Sequence, residues 1–155
     1  MPGTGDPQGI LPDKTFTIAE KNSFLQDLDF LVLAFPLSDR TDGLIGEEEL
    51  KMLPGKAFLL NPARGKLVRE TALIKALSEG WIAGAALDTH YHYPMPPDHP
   101  LWKIQQVIMT PHISGSTLSP HYLERVYDIF YQNLGRFLSG KVLLNELTSE
   151  QLEKG

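Results

Sequence analysis

The chain has 155 residues, 42% of them apolar and 21% charged, and its 14 basic and 19 acidic side chains leave a formal charge of −5. This length can bury a core, and the composition excludes wholesale disorder. There is no basic arm for nucleic acid, no apolar run long enough to span a membrane, and no cysteine for a disulfide, a thiolate nucleophile or a cysteine zinc site.

Residues 1–16 contain three glycines and three prolines with no apolar period, and read as a flexible leader. No basic segment followed by an apolar one opens the chain, so no signal peptide is expected and a cytoplasmic location is. Thr17 and Glu20 have the spacing of a capping box for a helix running to about residue 28. Residues 30–35 are an unbroken apolar run halted by Pro36. Without polar alternation, the run predicts a strand covered on both faces, as in a parallel sheet. After a polar loop, Glu47, Glu48 and Glu49 fill the first turn of a short helix, where the helix dipole favours acids, and Pro54-Gly55 ends it.

The cycle then repeats. Residues 57–60 predict a second strand. Residues 70–78 predict a helix with Leu73, Ala76 and Leu77 on one face, closed by Gly80. Residues 82–87 predict a third strand whose small side chains imply close packing. Pro94, Pro96, Pro97 and Pro100 exclude regular structure from the next segment. Residues 107–109 predict a fourth strand. A long helix follows over about 120–138, with Leu123, Val126, Tyr127, Phe130, Leu134 and Phe137 at helical spacing and Gly140 at its end.

This alternation predicts an α/β fold: a partial, doubly wound parallel sheet with a long C-terminal helix. Ligands of such sheets sit outside the carboxyl ends of the strands, which selects four loops. The first offers Pro36, Ser38 and Thr41, either as hydroxyls for a phosphate or ribose or as a plain turn. In the second, small Pro62 and Ala63 leave room beside Arg64. Its guanidinium can grip a carboxylate with two parallel bonds or pair with Glu70 on the surface. In the third, Asp88 either accepts from a cofactor amide or caps its own turn. In the fourth, His112 is the acid/base candidate, since an ordinary histidine titrates at ~6.5; alternatively it donates to a backbone carbonyl. His90 and His92, two apart on an extended chain, face one way with His99 near. Zinc needs three or four ligands and cysteine is absent, so no metal is expected. The glycine-rich residues 3–9 lack the preceding strand and following helix that a phosphate loop requires.

Taken together, five segments carry a resemblance. They are Pro36-Leu37-Ser38 with residues 41–45, residues 60–68 (Leu-Asn-Pro-Ala-Arg-Gly-Lys-Leu-Val), residues 84–88 (Gly-Ala-Ala-Leu-Asp), residues 98–102 (Asp-His-Pro-Leu-Trp), and residues 110–117 (Thr-Pro-His-Ile-Ser-Gly-Ser-Thr). In this order they resemble the D-isomer-specific 2-hydroxyacid dehydrogenase family over residues 17–147, and residues 110–117 are also similar to its formate dehydrogenase branch. The resemblance implies an oxidoreductase using NAD or NADP, with hydride transfer between nicotinamide and a small 2-hydroxy or 2-oxo acid or a formate-like carboxylate.

Members of that family are longer, with a substrate domain and a Rossmann-type dinucleotide-binding domain. The resemblance maps residues 17–116 to the C-terminal half of the dinucleotide-binding domain. It maps residues 117–155 to the closing helix and tail that return to the substrate domain. The glycine-rich loop and the ribose-binding acid have no counterpart, so a truncated chain with little activity alone is expected. Its partner is then a missing N-terminal half or a second copy, with no nucleic acid or membrane involved.

By resemblance, Arg64 holds the substrate carboxylate and His112 moves the proton. Asp88 accepts from the nicotinamide amide, and Pro36, Ser38, Thr41, Pro62 and Ala63 line the cofactor. Tyr93, grouped with the catalytic residues, stands where the family has a glutamate that pairs with the histidine. A phenol, with an ordinary pKa of ~10, is neutral and gives no such charge support. The alternative reading is a catalytically silent Rossmann-type binding or interaction module.

Overall fold

The computed structural model describes residues 6, 8–115 and 120–148. Expectations for residues 1–5 and 7 of the leader and for residues 116–119 before the last helix lie outside the described residues. Four parallel strands, β1 (Phe30–Val32), β2 (Phe58–Asn61), β3 (Gly84–Leu87) and β4 (Val107–Met109), pair in the order β1-β2-β3-β4. Between and around them run α1 (Lys21–Leu25), α2 (Glu47–Met52), α3 (Glu70–Ser78) and α4 (Pro120–Leu138). The expected α/β class and long C-terminal helix are therefore present.

Strand order decides where the core lies. Each step along the sheet goes the same way, and parallel crossovers are right-handed, so successive connections stack on one face. Leu31, Leu59, Ala85 and Leu87 are buried in one cluster with Leu50 and Leu53 at α2, Leu67 and Val68, and Ala72, Leu73, Ala76 and Leu77 of α3. The expectation of strands covered on both faces fails. Along β1, buried Leu31 alternates with exposed Phe30 and Val32, and Ile108 of β4 is 67% exposed. Phe30 and Phe58 stack on this open face with ring centroids 5.9 Å apart. β1 is also an edge, with no strand beyond it among the described residues.

Other boundaries shift for local reasons. The Glu20 carboxylate accepts the Thr17 amide at 2.9 Å, one half of a capping box, while the Thr17 hydroxyl donates to the same carboxylate at 2.7 Å and the Glu20 amide to the Thr17 carbonyl at 2.9 Å. The helix begins as a 3-10 turn, Ile18–Glu20, and α1 ends at Leu25, before residue 28. The proline-rich segment does contain regular structure. Pro100–Lys103 is a 3-10 turn because proline at a first helical position has no amide to lose. Glu49 in α2 turns back to accept the Gly46 amide at 2.9 Å and pairs with Lys21. Burial pushes its pKa up, but hydrogen bonds from Lys21 and backbone amides outweigh this and hold it below the usual carboxylate value. α4 ends where Gly140 takes φ 64°, and its apolar stripe, including Leu123, Val126, Phe130 and Phe137, is exposed. Among the described residues, no helix is long and apolar enough to cross a membrane.

Candidate active site at the carboxyl rim

Parallel register carries the strand ends to one rim. Asn61 lies opposite Leu87, and Leu87 opposite Met109. The following loops are then tied together. The Asp88 amide donates to the Asn61 carbonyl at 3.1 Å, and the Thr110 amide to the Leu87 carbonyl at 3.0 Å. Gly65 lets the second loop close on the third, since a Cβ there would lie 2.6 Å from the His90 carbonyl carbon. The Gly43 amide donates to the Lys66 carbonyl at 2.8 Å and joins the first loop to the second.

Asp88 anchors the loop that carries His112. One carboxylate oxygen accepts the Thr110 hydroxyl and, at 2.8 Å, the Ile113 amide; the other accepts the Ser114 amide at 2.9 Å and its hydroxyl at 2.7 Å. Burial pushes the pKa up, but these four bonds to the charged form prevail and hold it well below the carboxylate range. His112 sits within this clamped loop at φ 58°, its amide donating to the Thr110 carbonyl at 2.9 Å. The same carbonyl accepts Nε2–H of His90 at 2.9 Å. The Tyr93 hydroxyl accepts the His90 amide at 2.9 Å and lies 3.3 Å from Nδ1 of His112.

Arg64 stands on the adjoining loop. Buried Asn61 frames it, its side-chain amide donating to the Arg64 carbonyl at 2.8 Å and its oxygen accepting the Ala63 and Arg64 amides, each at 3.2 Å. The exposed guanidinium donates to the Ala63 carbonyl at 2.7 Å and not to Glu70. Ser38 and Thr41 close their own turn, the Thr41 hydroxyl accepting the Ser38 amide at 2.7 Å and donating to the Pro36 carbonyl at 2.8 Å. The structure therefore brings His112, Tyr93 and Asp88 together, sets Pro62, Ala63 and Arg64 beside them, and leaves Pro36, Ser38 and Thr41 on a neighbouring turn. A cleft of ≈ 390 Å³ opens next to Tyr93, between Trp102, Met95, Met109 and Pro111.

His90, Asn61, Thr110 and Ser114 hold this site and were not singled out for that work. Only Asn61 carried a legible signal, because asparagine before proline starts turns. His90 and His92 both line the cleft but are held by different partners: His90 bonds Thr110, whereas His92 lies 3.6 Å from Glu70. Glu70, His92 and His99 do gather within 4.8 Å. However, His99 Nδ1 accepts the Leu101 amide at 3.3 Å, so the ring proton sits on Nε2 and is donated to Glu70. A metal-binding histidine needs a free lone pair on one nitrogen and usually donates from the other, so this trio is organised as a hydrogen-bonded group.

Comparison with known proteins bears on this geometry. Residues 6–114 match the family model for the NAD binding domain of D-isomer specific 2-hydroxyacid dehydrogenases. The glyoxylate reductase of Thermofilum pendens is 39% identical over 137 residues, which cover 88% of this chain and 39% of that protein. The glyoxylate reductase of Thermococcus gammatolerans is 44% identical over 118 residues, covering 76% of this chain and 34% of that protein. Two solved structures have similar folds. The D-isomer specific 2-hydroxyacid dehydrogenase from Xanthobacter autotrophicus Py2, in complex with NADPH and MES, gives a TM-score of 0.75 at 35% identity, over 84% of this chain and 52% of that one. The NAD complexed form of the Lactobacillus delbrueckii ssp. bulgaricus enzyme gives 0.69 at 32% identity, over 81% of this chain and 42% of that one. The chain thus spans well under half the length of these curated relatives.

Proposed function

The chain belongs to the D-isomer-specific 2-hydroxyacid dehydrogenase family, and from that premise we propose that its rim loops hold the nicotinamide end of NAD or NADP beside a small 2-oxo or 2-hydroxy acid. The cofactor, when bound, supplies or takes up the hydride. The chain's own residues do the rest. No carboxylate pairs with Arg64 among the described residues, so its guanidinium is free to take the substrate carboxylate. His112 donates a proton to the carbonyl oxygen as negative charge builds there, or removes it in the reverse direction. Pro62 and Ala63 place no bulk beside Arg64, and with Pro36, Ser38 and Thr41 they line the cofactor.

Asp88 acts first as the anchor of the His112 loop. A carboxylate offers about four acceptor positions and all are in use, so Asp88 accepts from a nicotinamide amide only by releasing one of those bonds. Full activity requires a segment corresponding to the part of the longer relatives that this chain does not match, in a cytoplasmic setting, and self-association is the other partnership expected. The observation that carries this reading is the contact chain from Asp88 through its clamped loop to His112 and Tyr93, beside the Arg64 loop.

The test is a fluorescence titration with NADH, then turnover on glyoxylate, hydroxypyruvate and formate. Turnover that falls about 100-fold or more in Arg64→Ala is the expected result. Tyr93 in place of a charged partner favours the second reading, a silent binding module, and absence of NADH binding at millimolar concentration would select it.

A further inference from the structure

The group beside Nδ1 of His112 is a phenol, and a phenol imposes a different proton arrangement from a carboxylate. We propose that Tyr93 is a positioning residue that fixes neutral His112 as the tautomer protonated on Nε2. The neutral ring then presents an Nε2–H that hydrogen-bonds a substrate oxygen; to transfer that proton it first gains one on Nδ1, which turns the Tyr93 hydroxyl from donor to acceptor. The inference deepens the dehydrogenase reading, because it rests on His112 being the group that meets that oxygen.

Tyr93 Oη accepts the His90 amide at 2.9 Å, which leaves the phenol its own proton and one acceptor position. Among the described residues, His112 Nδ1, at 3.3 Å, is the protein acceptor within reach of that proton, and water is its competitor, since Tyr93 is 62% exposed. Donation to Nδ1 engages its lone pair, and a neutral imidazole then carries its hydrogen on Nε2. A carboxylate only accepts, so it would hold the proton on Nδ1 instead. The tautomer therefore depends on which residue occupies position 93.

Both ends of the contact are held in place. The Tyr93 ring leans on His90 and His112, with centroids 5.8 Å and 5.9 Å away. His90 is fixed by its bond to the Thr110 carbonyl and by Gly65 packed against its backbone. On the far side, Asp88 grips Thr110, Ile113 and Ser114 and makes no bond to the imidazole. Tyr93 is thus the hydrogen-bonding side chain at the ring, and the anchor sets only where the ring sits.

The experiment is two-bond ¹H–¹⁵N correlation NMR on the ¹⁵N-labelled chain without cofactor, at about pH 8, where an ordinary histidine is neutral. The ring signals of His112 are identified by their loss in His112→Gln. The expected wild-type pattern has the proton on Nε2 and Nδ1 shifted by an accepted hydrogen bond. Tyr93→Phe should return Nδ1 to its unbonded position, and Tyr93→Glu should move the proton to Nδ1. A wild-type pattern protonated on Nδ1, or an Nδ1 resonance unchanged in Tyr93→Phe, would overturn the proposal. Amide dispersion reports whether a variant is folded, and the wild-type pattern decides alone if one is not. Turnover is read separately. An Nε2-protonated ring in a chain without turnover counts against the enzymatic reading only, whereas an Nδ1-protonated ring in an active chain counts against this inference only.

Discussion

The two faces of the sheet come from the same short runs of sequence and end in opposite environments. On one, Leu31, Leu59, Ala85 and Leu87 lie under α2 and α3. On the other, Phe30, Val32, Phe58 and Ile108 are exposed. Composition does not distinguish them, because both are apolar. Strand order does: four strands laid down in one direction with right-handed crossovers place every connection on the same side. The lesson is that an unbroken apolar run shows a strand is suited to two covers, while topology shows which cover the chain itself supplies.

The contrast can be broken by substitution, and the largest effect is expected beneath α3. Leu73→Ala should cost about 3 kcal/mol in chemical denaturation, because a fully buried leucine leaves a cavity; a loss below about 1 kcal/mol would show that this face is loosely packed. Next comes the rim. Asp88→Asn should cost about 2 kcal/mol at neutral pH, because a neutral amide gives up the charge-assisted bonds from Thr110, Ile113 and Ser114. The Asp88 pKa is lowered by folding, so its stabilisation is complete above the ordinary carboxylate value and fades as pH falls below about 4. Wild type should therefore lose stability on acidification that Asp88→Asn does not, and parallel pH profiles would contradict the anchor. Thr17→Ala removes the exposed hydroxyl bond to Glu20 and should cost about 0.5 kcal/mol.

Smallest in stability is the open face, where Ile108→Ser should change folding by less than about 0.5 kcal/mol. Its effect should appear in association instead. An unpaired edge beside an exposed apolar patch favours pairing between chains. Sedimentation of the wild type should depend on concentration, and less so in Ile108→Ser. A wild type that sediments as a monomer throughout would show that the open face is tolerated in water.

Much of this was legible in the residues. Glu70 to Ser78 and Val107 to Met109 match their helix and strand because periodicity, acids and breakers agree there. The four-loop rim follows from strand ends alone, and Arg64, Asp88 and His112 are candidates by their place on it. What could not be read was pairing at a distance. Nothing near His90 indicates that its ring bonds Thr110, twenty positions on, or that its amide meets the Tyr93 hydroxyl. Nor does local sequence show that all four acceptor positions of Asp88 are taken by residues 110–114. Those contacts depend on loop closure, which Gly65 permits only once the strands are in register.

The central claim is that loops far apart in sequence form one ligand-binding rim. Amide chemical-shift mapping during an NADH titration of the ¹⁵N-labelled chain tests it most directly. The account predicts that Ala63, Arg64, Asp88 and residues 112–115 shift together and saturate at one affinity. Shifts confined to the opposite rim, or none at millimolar NADH, would contradict it.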